Sequence, residues 1–203
     1  LTKKKEALET YKKGLMQKIF SQELRFKRED GTDYPEWETT YLGELCTITT
    51  GKLDANAQVE GGEYLFFTCA KKVFRIDEYE FVGASLLISG NGANVGYIHN
   101  YDGQFNAYQR TYVLQNIEVN RYYLQYFLEE NLHRRIHREK KDGNTPYIVM
   151  STLTKMKIAV PPKQEATTIA RALITIDSSL EQLTKQLDAM SALKKGLLQQ
   201  MFV

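Results

Sequence analysis

Residues 163–202 read KQEATTIARALITIDSSLEQLTKQLDAMSALKKGLLQQMF. Apolar residues recur in this segment in alternating steps of four and three, the spacing of the a and d positions of a coiled-coil heptad. The pattern predicts one long helix, on the order of 60 Å in length, which begins just after Pro161-Pro162. Its apolar seam consists of Ile169, Leu173, Ile176, Leu180, Leu183, Leu187, Met190, Leu197 and Met201.

This seam predicts a helix–helix interface. A single domain of this chain is too small to cover a helix of that length, so part of the seam is expected to pack against a partner helix. The alternative is a long amphipathic helix that packs entirely on its own domain.

The end of the long helix is repeated near the start of the chain. Residues 12–20 read KKGLMQKIF and residues 194–202 read KKGLLQQMF, 182 residues apart and identical at six of nine positions. Repeats at a fixed offset indicate an architecture of similar units. Residues 1–22 are therefore predicted to be the end of an equivalent helix. We expect another unit of the same kind to precede Leu1, or the protein to be a natural half.

Residues 23–160 are predicted to form one domain between the two helices. Short apolar and aromatic runs at 45–49, 64–68, 86–89, 95–99 and 108–114, separated by Gly, Asn and Asp, are typical of strands. Residues 119–139 carry an apolar stripe at helical spacing, and residues 148–160 return to strand-like content. The fold class is thus α/β (α+β): a domain dominated by a twisted sheet, a shorter N-terminal helix, and a long coiled-coil helix over 161–203.

Composition limits the classes of function. A formal net charge of +2 neither requires nor excludes a nucleic-acid partner, so a DNA-binding face must be local. Cys46 and Cys69 lack CxxC spacing and are interpreted as free thiols. No apolar run approaches the roughly 18 residues of a membrane span, and a soluble, cytoplasmic protein is expected.

The sequence contains no complete pattern of catalytic residues or metal ligands. Asn144-Thr145-Pro146-Tyr147 is similar to the motif that holds a flipped adenine in amino-methyltransferases, but its first proline is missing and no glycine-rich cofactor loop accompanies it. His133 and His137 have metal-ligand spacing on a helix, yet arginines surround them and no third ligand is nearby. The sequence therefore predicts no catalytic site, no metal and no cofactor.

Several segments resemble the specificity subunits of type I restriction-modification enzymes. The opening of that family's target recognition domain is similar to Trp37-Glu38, Leu42-Gly43-Glu44-Leu45 and Thr50-Gly51-Lys52. Its closing strand and helix start resemble Gly143-Asn144-Thr145, Ser151, Leu153, Ile158–Pro162, Gln164-Glu165 and Ile169, although the family usually has Glu-Gln where this chain has Gln164-Glu165. The KKGL(M/L)Q pattern with a final Phe resembles the end of each conserved helix.

This resemblance implies a non-catalytic subunit, here its C-terminal half, with a second target recognition domain between conserved helices. Such a domain would read half of a bipartite site in double-stranded DNA, while the helices bind two methylation subunits, which restriction subunits join. One recognition domain in the chain implies a missing first half or self-association, and a symmetric dimer predicts a palindromic target. The alternative is a coiled-coil scaffold whose globular domain binds protein.

Candidate DNA-binding residues are the basic, amide and tyrosine side chains of the predicted loops. Arg, Lys, Asn and Gln offer the hydrogen bonds that read base edges, and a basic stripe at residues 133–141 suits phosphate contacts. The alternatives are a solvated helix face for the arginines of that stripe and turn-forming roles for Asn91 and Asn94. The candidates are Lys52, Lys71, Lys72, Arg75, Asn91, Asn94, Gln109, Arg110, Lys140, Lys141, Asn144 and Tyr147.

Overall fold

A computed structural model of the chain describes residues 1–139 and 147–201. Lys140, Lys141 and Asn144 lie outside the described residues, as does the side chain of Met201. The chain begins with helix α1 (Thr2–Phe20) and ends with helix α5 (Lys163–Met201). The long C-terminal helix predicted from the heptad pattern is therefore confirmed, and so is a shorter helix at the N-terminal repeat.

The two terminal helices run antiparallel. Lys12 of α1 is paired with Asp177 of α5 at 2.6 Å, whereas Arg25, just beyond α1, is paired with Glu165 at 2.8 Å. Residue numbers therefore rise along one helix as they fall along the other. Met16 and Ile19 on the inner face of α1 belong to the same buried apolar cluster as the first two turns of the α5 seam.

Between these helices, the described residues form ten strands, three further α-helices and a short 3-10 helix (Ala55–Ala57). The helices are α2 (Leu42–Leu45), α3 (Arg121–Glu139) and α4 (Met150–Thr154). The strands are β1 (Glu38–Tyr41), β2 (Thr47–Thr50), β3 (Tyr64–Phe67), β4 (Phe74–Ile76), β5 (Phe81–Val82), β6 (Ser85–Ser89), β7 (Ile98–Tyr101), β8 (Gln104–Ala107), β9 (Thr111–Gln115) and β10 (Lys157–Val160). The predicted α/β class, with twisted sheets and terminal helices, is confirmed.

The strands form three sheets. One four-stranded sheet has the order β2-β9-β6-β7 and is antiparallel throughout. The second has the order β4-β3-β8-β5, with β3 and β8 parallel. The third is the antiparallel pair β1-β10, in which Glu38 lies opposite Val160. The first and last strands of the domain are thus neighbours, and the chain enters and leaves the domain at one place.

Two buried apolar clusters show which elements cover each face of the β6 sheet. Leu86 and Ile88 of β6 belong to the large buried cluster that includes α1, α3 and α5, whereas Leu87 belongs to a second cluster with Phe67 and Phe105. Because successive strand residues point to opposite faces, the β6 sheet is covered by helices on one face and by the β3 sheet on the other. This arrangement accounts for the uninterrupted apolar run Leu86–Ile88, which is typical of a strand buried on both faces.

Some strand predictions were wrong. Leu45 and Cys46 were predicted to begin a strand, but Leu45 ends α2 and β2 starts at Thr47. The predicted strand at 95–99 is shifted, because backbone hydrogen bonds from Val95 and Tyr97 close tight turns before β7 starts at Ile98. Residues 148–160 contain the short helix α4 before β10. In the described part of the chain, no helix is long and apolar enough to cross a membrane.

Two glycines allow the sheets to meet at a corner. A Cβ atom on Gly51 would lie 1.8 Å from the carbonyl oxygen of Ala107, and one on Gly90 would lie 2.3 Å from that of Arg110. In both cases the obstacle is backbone, which cannot move aside without disturbing β8 or β9. The glycine in the Thr50-Gly51-Lys52 segment is therefore required by a close backbone approach.

We predict that Gly51→Ala lowers the free energy of unfolding by about 3 kcal/mol, the upper end of overpacking costs. Gly14→Ala is the matched control: its Cβ would meet nothing within 4 Å in α1, and alanine should raise helix stability by about 1 kcal/mol. Urea unfolding followed by circular dichroism measures both. Equal stability of Gly51→Ala and the unmodified chain would contradict the close approach of Gly51 to the backbone of Ala107.

Candidate nucleic-acid interface

Four loops lie together at one end of the two large sheets. The register places Thr50 opposite Tyr112, Ser89 opposite Thr111, and Phe67 beside Ala107. The loops that leave or enter these strand ends, 51–58, 68–73, 89–97 and 107–111, therefore share one edge. We call these four loops the recognition rim.

Backbone hydrogen bonds join the loops of the recognition rim. Gln109 N–H donates to Leu53 O at 2.9 Å, Tyr108 N–H donates to Phe67 O at 2.9 Å, and Gly90 N–H donates to Arg110 O at 2.8 Å. Each bond links two different loops or strand ends. The rim is thus a connected surface, which lowers the entropy cost of ordering it on a partner.

Four cationic side chains are exposed on the recognition rim: Lys52, Lys71, Lys72 and Arg110. Lys71 Nζ lies 5.3 Å from the centre of the Tyr97 ring, and Lys72 Nζ lies 5.5 Å from that of Phe74. Lys52 is paired with Glu80. The rim therefore presents local positive charge on a chain whose total charge is only +2.

The predicted amide and tyrosine side chains divide into engaged and exposed groups. Gln109 Nε2 donates to Asp54 Oδ1 at 2.6 Å, and Asn94 Nδ2 donates to Cys69 O at 3.2 Å. Asn91 is half-buried and forms an isolated β-bridge with Tyr147, which is 55% exposed. The structure brings Asn91, Asn94, Gln109 and Tyr147 to the rim, and their contact with DNA stays a prediction.

Arg75 is the middle residue of β4, beside the rim. Its guanidinium donates to the carbonyls of Gly62 and Glu63, at 3.3 and 3.1 Å. Arg75 and Lys72 line a shared groove of about 510 Å³ that also includes Gln58. This groove continues the cationic surface of the rim along the edge of the β3 sheet.

The C-terminal end of α3 adjoins the rim. A Cβ placed on Gly96 would lie 3.3 Å from His133 Cε1, so loop 89–97 contacts this helix. Arg134 is exposed but paired with Glu130 at 2.8 Å, which neutralises part of the predicted basic stripe. Among the described residues, no three His, Cys, Asp or Glu side chains are close enough to hold a metal ion.

Burial changes the pKa of two groups close to the rim and the core. The pKa of His99 is lowered chiefly because its ring is buried, although its hydrogen bond to Ala70 opposes the shift. Burial raises the pKa of the Cys46 thiol to about 12. Cys46 is therefore a protonated, unreactive thiol, and Cys69 is half-buried.

The seam of α5 has a covered part and an exposed part. Ile169 and Leu173 are fully buried and Leu183 is 7% exposed, while Ile176, Leu180 and Leu187 are half-buried. Beyond them, a second group of apolar residues is exposed by 44–64%: Met190, Leu193, Leu197 and Leu198. We call these four residues the apolar end of α5. The first part of the seam thus packs within this chain.

Two polar clusters lie along the covered part. Asp177 accepts from Lys12 Nζ and, at 2.6 Å, from the hydroxyl of Tyr126 on α3. Glu165 is fully buried and accepts from Arg25 Nε and Nη2 at 3.2 and 2.8 Å and from Trp37 Nε1 at 2.9 Å. Together these contacts connect α1, α3 and α5.

Burial also changes two pKa values beside these clusters. It raises the pKa of Tyr126, and the hydrogen bond to Asp177 adds to the shift. It likewise raises the pKa of Glu129, although the hydrogen bond from Gln125 opposes the change.

The sequence did not indicate three sets of residues. Tyr97 and His99 were not placed in the site, because only strand pairing brings them under loop 68–73. Leu193 and Leu198 of the apolar end lie off the predicted heptad positions. The contact between Trp37 and Glu165 was also missed, although both residues belong to segments that resemble the specificity-subunit family. Their proximity follows from the pairing of β1 with β10.

Comparison with known proteins identifies relatives of this arrangement. A family model described as a type I restriction modification DNA specificity domain matches residues 34–189. The EcoDI specificity subunit, a type I restriction enzyme subunit of Escherichia coli, is 38% identical over 160 residues, covering 79% of this chain and 35% of that protein. The MjaVIII specificity subunit of Methanocaldococcus jannaschii is 26% identical over 200 residues, covering 90% and 46%. The chain spans less than half the length of these curated relatives.

Solved structures show the same fold at low sequence identity. The S subunit of a type I restriction-modification system from M. genitalium has a TM-score of 0.74 at 18% identity, covering 96% of this chain and 54% of that one. The HsdS subunit from Thermoanaerobacter tengcongensis has a TM-score of 0.63 at 18% identity, covering 91% and 47%. The likeness extends over both terminal helices and the domain between them.

Proposed function

Because the chain belongs to the type I restriction-modification DNA specificity family, we propose that its recognition rim reads one half of a bipartite target in double-stranded DNA. The observation that carries this proposal is the convergence of four loops on one edge of the sheets, where Lys52, Lys71, Lys72 and Arg110 are all exposed. A single edge with several exposed cations, of which Lys52 is paired with Glu80, fits one face of a duplex.

The side chains of the rim divide the work of binding. Lys71 and Lys72 are adjacent ammonium groups and contact phosphates, which anchor the protein without reading sequence. Arg110 is exposed at the tip of loop 107–111 and can present two N–H groups to the O6 and N7 atoms of guanine in the major groove. Asn91 and Tyr147 form a second contact beside it.

The subunit needs no catalytic site of its own for this role. The rim offers hydrogen-bond donors, acceptors and positive charge, which suffice for binding. Methylation and cleavage are carried out by partner subunits, and two methylation subunits dock on helices α1 and α5. The helices hold two recognition domains at a set distance, so the target has two read parts and an unread gap.

The apolar end of α5 supports association with a second unit like this one. In α1, the segment KKGLMQKIF packs on the domain through Phe20, whose ring lies 5.8 Å from Tyr123 and 5.5 Å from Phe127. Residues 194–201 of the similar segment KKGLLQQMF end α5, where Leu197 and Leu198 are exposed. The repeated sequence favours a repeated contact, in which the end of α5 packs on the recognition domain of a second unit.

We predict that Lys71→Ala/Lys72→Ala weakens duplex DNA binding at low salt and reduces the slope of log K against log salt concentration by about 2, because roughly one counterion is released for each phosphate contact. A fluorescence anisotropy titration at several salt concentrations measures this slope. Lys3→Ala/Lys4→Ala on α1 removes the same charge from exposed positions away from the rim and should leave the slope unchanged. Equal slopes for both double variants would refute the rim as the DNA-binding face, and an unmodified chain that does not bind DNA favours the protein-binding scaffold.

We also predict that Leu193→Glu/Leu197→Glu converts an associated form of the chain to a monomer, because two charges enter an apolar contact. Light scattering after size-exclusion chromatography measures the mass. The control is Gln182→Glu/Gln186→Glu, with the same spacing and the same new residue at exposed positions of α5. A monomeric unmodified chain, or an associated Leu193→Glu/Leu197→Glu variant, would contradict the proposed contact.

A further inference from the structure

We propose that His99 and Asn94 are positioning residues that hold loop 68–73, and with it Lys71 and Lys72, in the conformation that contacts DNA. This inference rests on the proposed function of the recognition rim. It assigns Asn94 a role different from reading a base, and it gives His99 a role outside metal binding and catalysis.

The two side chains hold consecutive peptide carbonyls of the loop. Asn94 Nδ2 donates to Cys69 O at 3.2 Å, and His99 Nε2 donates to Ala70 O at 3.1 Å. Within the loop, Ala70 N–H donates to Thr68 Oγ1 at 3.2 Å. The backbone is therefore held at the two residues that immediately precede Lys71.

The His99 ring is itself held in place. It lies on β7 opposite Leu87, a fully buried residue of β6. Its ring packs edge to face against Phe67 at 5.1 Å and against Tyr97 at 4.8 Å between ring centres. A carbonyl oxygen only accepts hydrogen bonds, so Nε2 carries the hydrogen in this contact. Burial lowers the pKa of His99, which favours a neutral donor at neutral pH.

The same residues also orient the first lysine. Lys71 Nζ lies 5.3 Å from the centre of the Tyr97 ring, at the distance of a cation–π contact. Tyr97 in turn packs on His99, so one small group of rings supports both the loop backbone and the ammonium group. Loss of the His99 contact therefore disturbs the position of Lys71 as well as the loop.

A preorganised loop binds more tightly than one that must be ordered on the partner. If the hydrogen bond from His99 is removed, loop 68–73 samples other conformations and the two lysines no longer meet the duplex in one arrangement. We expect about a tenfold loss of affinity, which corresponds to one hydrogen bond and part of the ordering entropy. The core is retained, because the ring of phenylalanine can replace that of histidine.

The test compares His99→Phe, which keeps an aromatic ring and removes the donor, with His99→Gln, whose amide can supply a donor near the position of Nε2. Each variant, in complex with its methylation subunits, selects from a pool of random-sequence duplexes, and the bound DNA is sequenced. We expect His99→Phe to bind about tenfold more weakly and to enrich a degraded motif, and His99→Gln to recover affinity to within about threefold of the unmodified complex. If His99→Phe lost affinity only through a structural defect, His99→Gln would not recover it.

A second variant guards against misfolding of His99→Phe. Asn94→Ala removes the donor to Cys69 from a half-buried turn and should give the same loss of affinity, with a melting temperature close to that of the unmodified complex. The inference is overturned if folded His99→Phe and Asn94→Ala both enrich the original motif with unchanged affinity. If the unmodified complex enriches no motif, the proposed function fails. If it enriches a motif and both variants enrich the same motif with unchanged affinity, only the positioning role of His99 and Asn94 fails.

Discussion

The buried carboxylate of Glu165 is the contact on which the arrangement of helices and domain depends. A buried charge is costly unless it is paired and hydrogen-bonded, and here Arg25 and Trp37 donate three hydrogen bonds to it. These donors come from the segment that follows α1 and from the start of the domain, while Glu165 stands in the first turn of α5. One ionic contact therefore joins the chain's entry to the domain and its exit, next to the paired strands β1 and β10. The chain's entry to the domain and its exit are consequently held together beside the two antiparallel helices, which also pack against α3.

This attachment separates the parts of the molecule that must stay constant from those that can change. Helices α1, α3 and α5 cover one face of the β6 sheet and share the large core with it, whereas the loops of the recognition rim present exposed cationic side chains. Replacement of Lys71, Lys72 or Arg110 removes charge or a hydrogen-bond donor without opening a cavity. Under the proposed function, such a surface can acquire a new DNA sequence preference while α1 and α5 stay unchanged. The rim itself is held by backbone hydrogen bonds and by the close approaches of Gly51 and Gly90.

Periodicity and repetition made the helices predictable, and the sheets were predictable only in outline. The seam of α5 and the repeat in α1 extend over many residues, so chance matches are averaged out, and both helices were confirmed. Strands β1, β4, β5 and β8 were missed because they have two to four residues each, and β1, β5 and β8 also pair with distant segments. For the site, residue type alone indicated Lys52, Lys71, Lys72 and Arg110, which the fold does bring to one edge. The bonds of Asn94 and His99 to loop 68–73 depend on the pairing of β6 with β7, and no local pattern of the sequence reports that pairing.

Under the proposed function, this chain determines which DNA sequence a type I methylation complex modifies. The most direct measurement is to co-express the chain with its methylation subunits in a host that lacks other such systems, and to map methylated adenines across the host DNA. We predict methylation at a gapped, two-part motif that disappears when the chain is omitted, with a palindromic motif if two copies pair. A folded complex that produces no motif-specific methylation, even when a second recognition half is supplied, would contradict it.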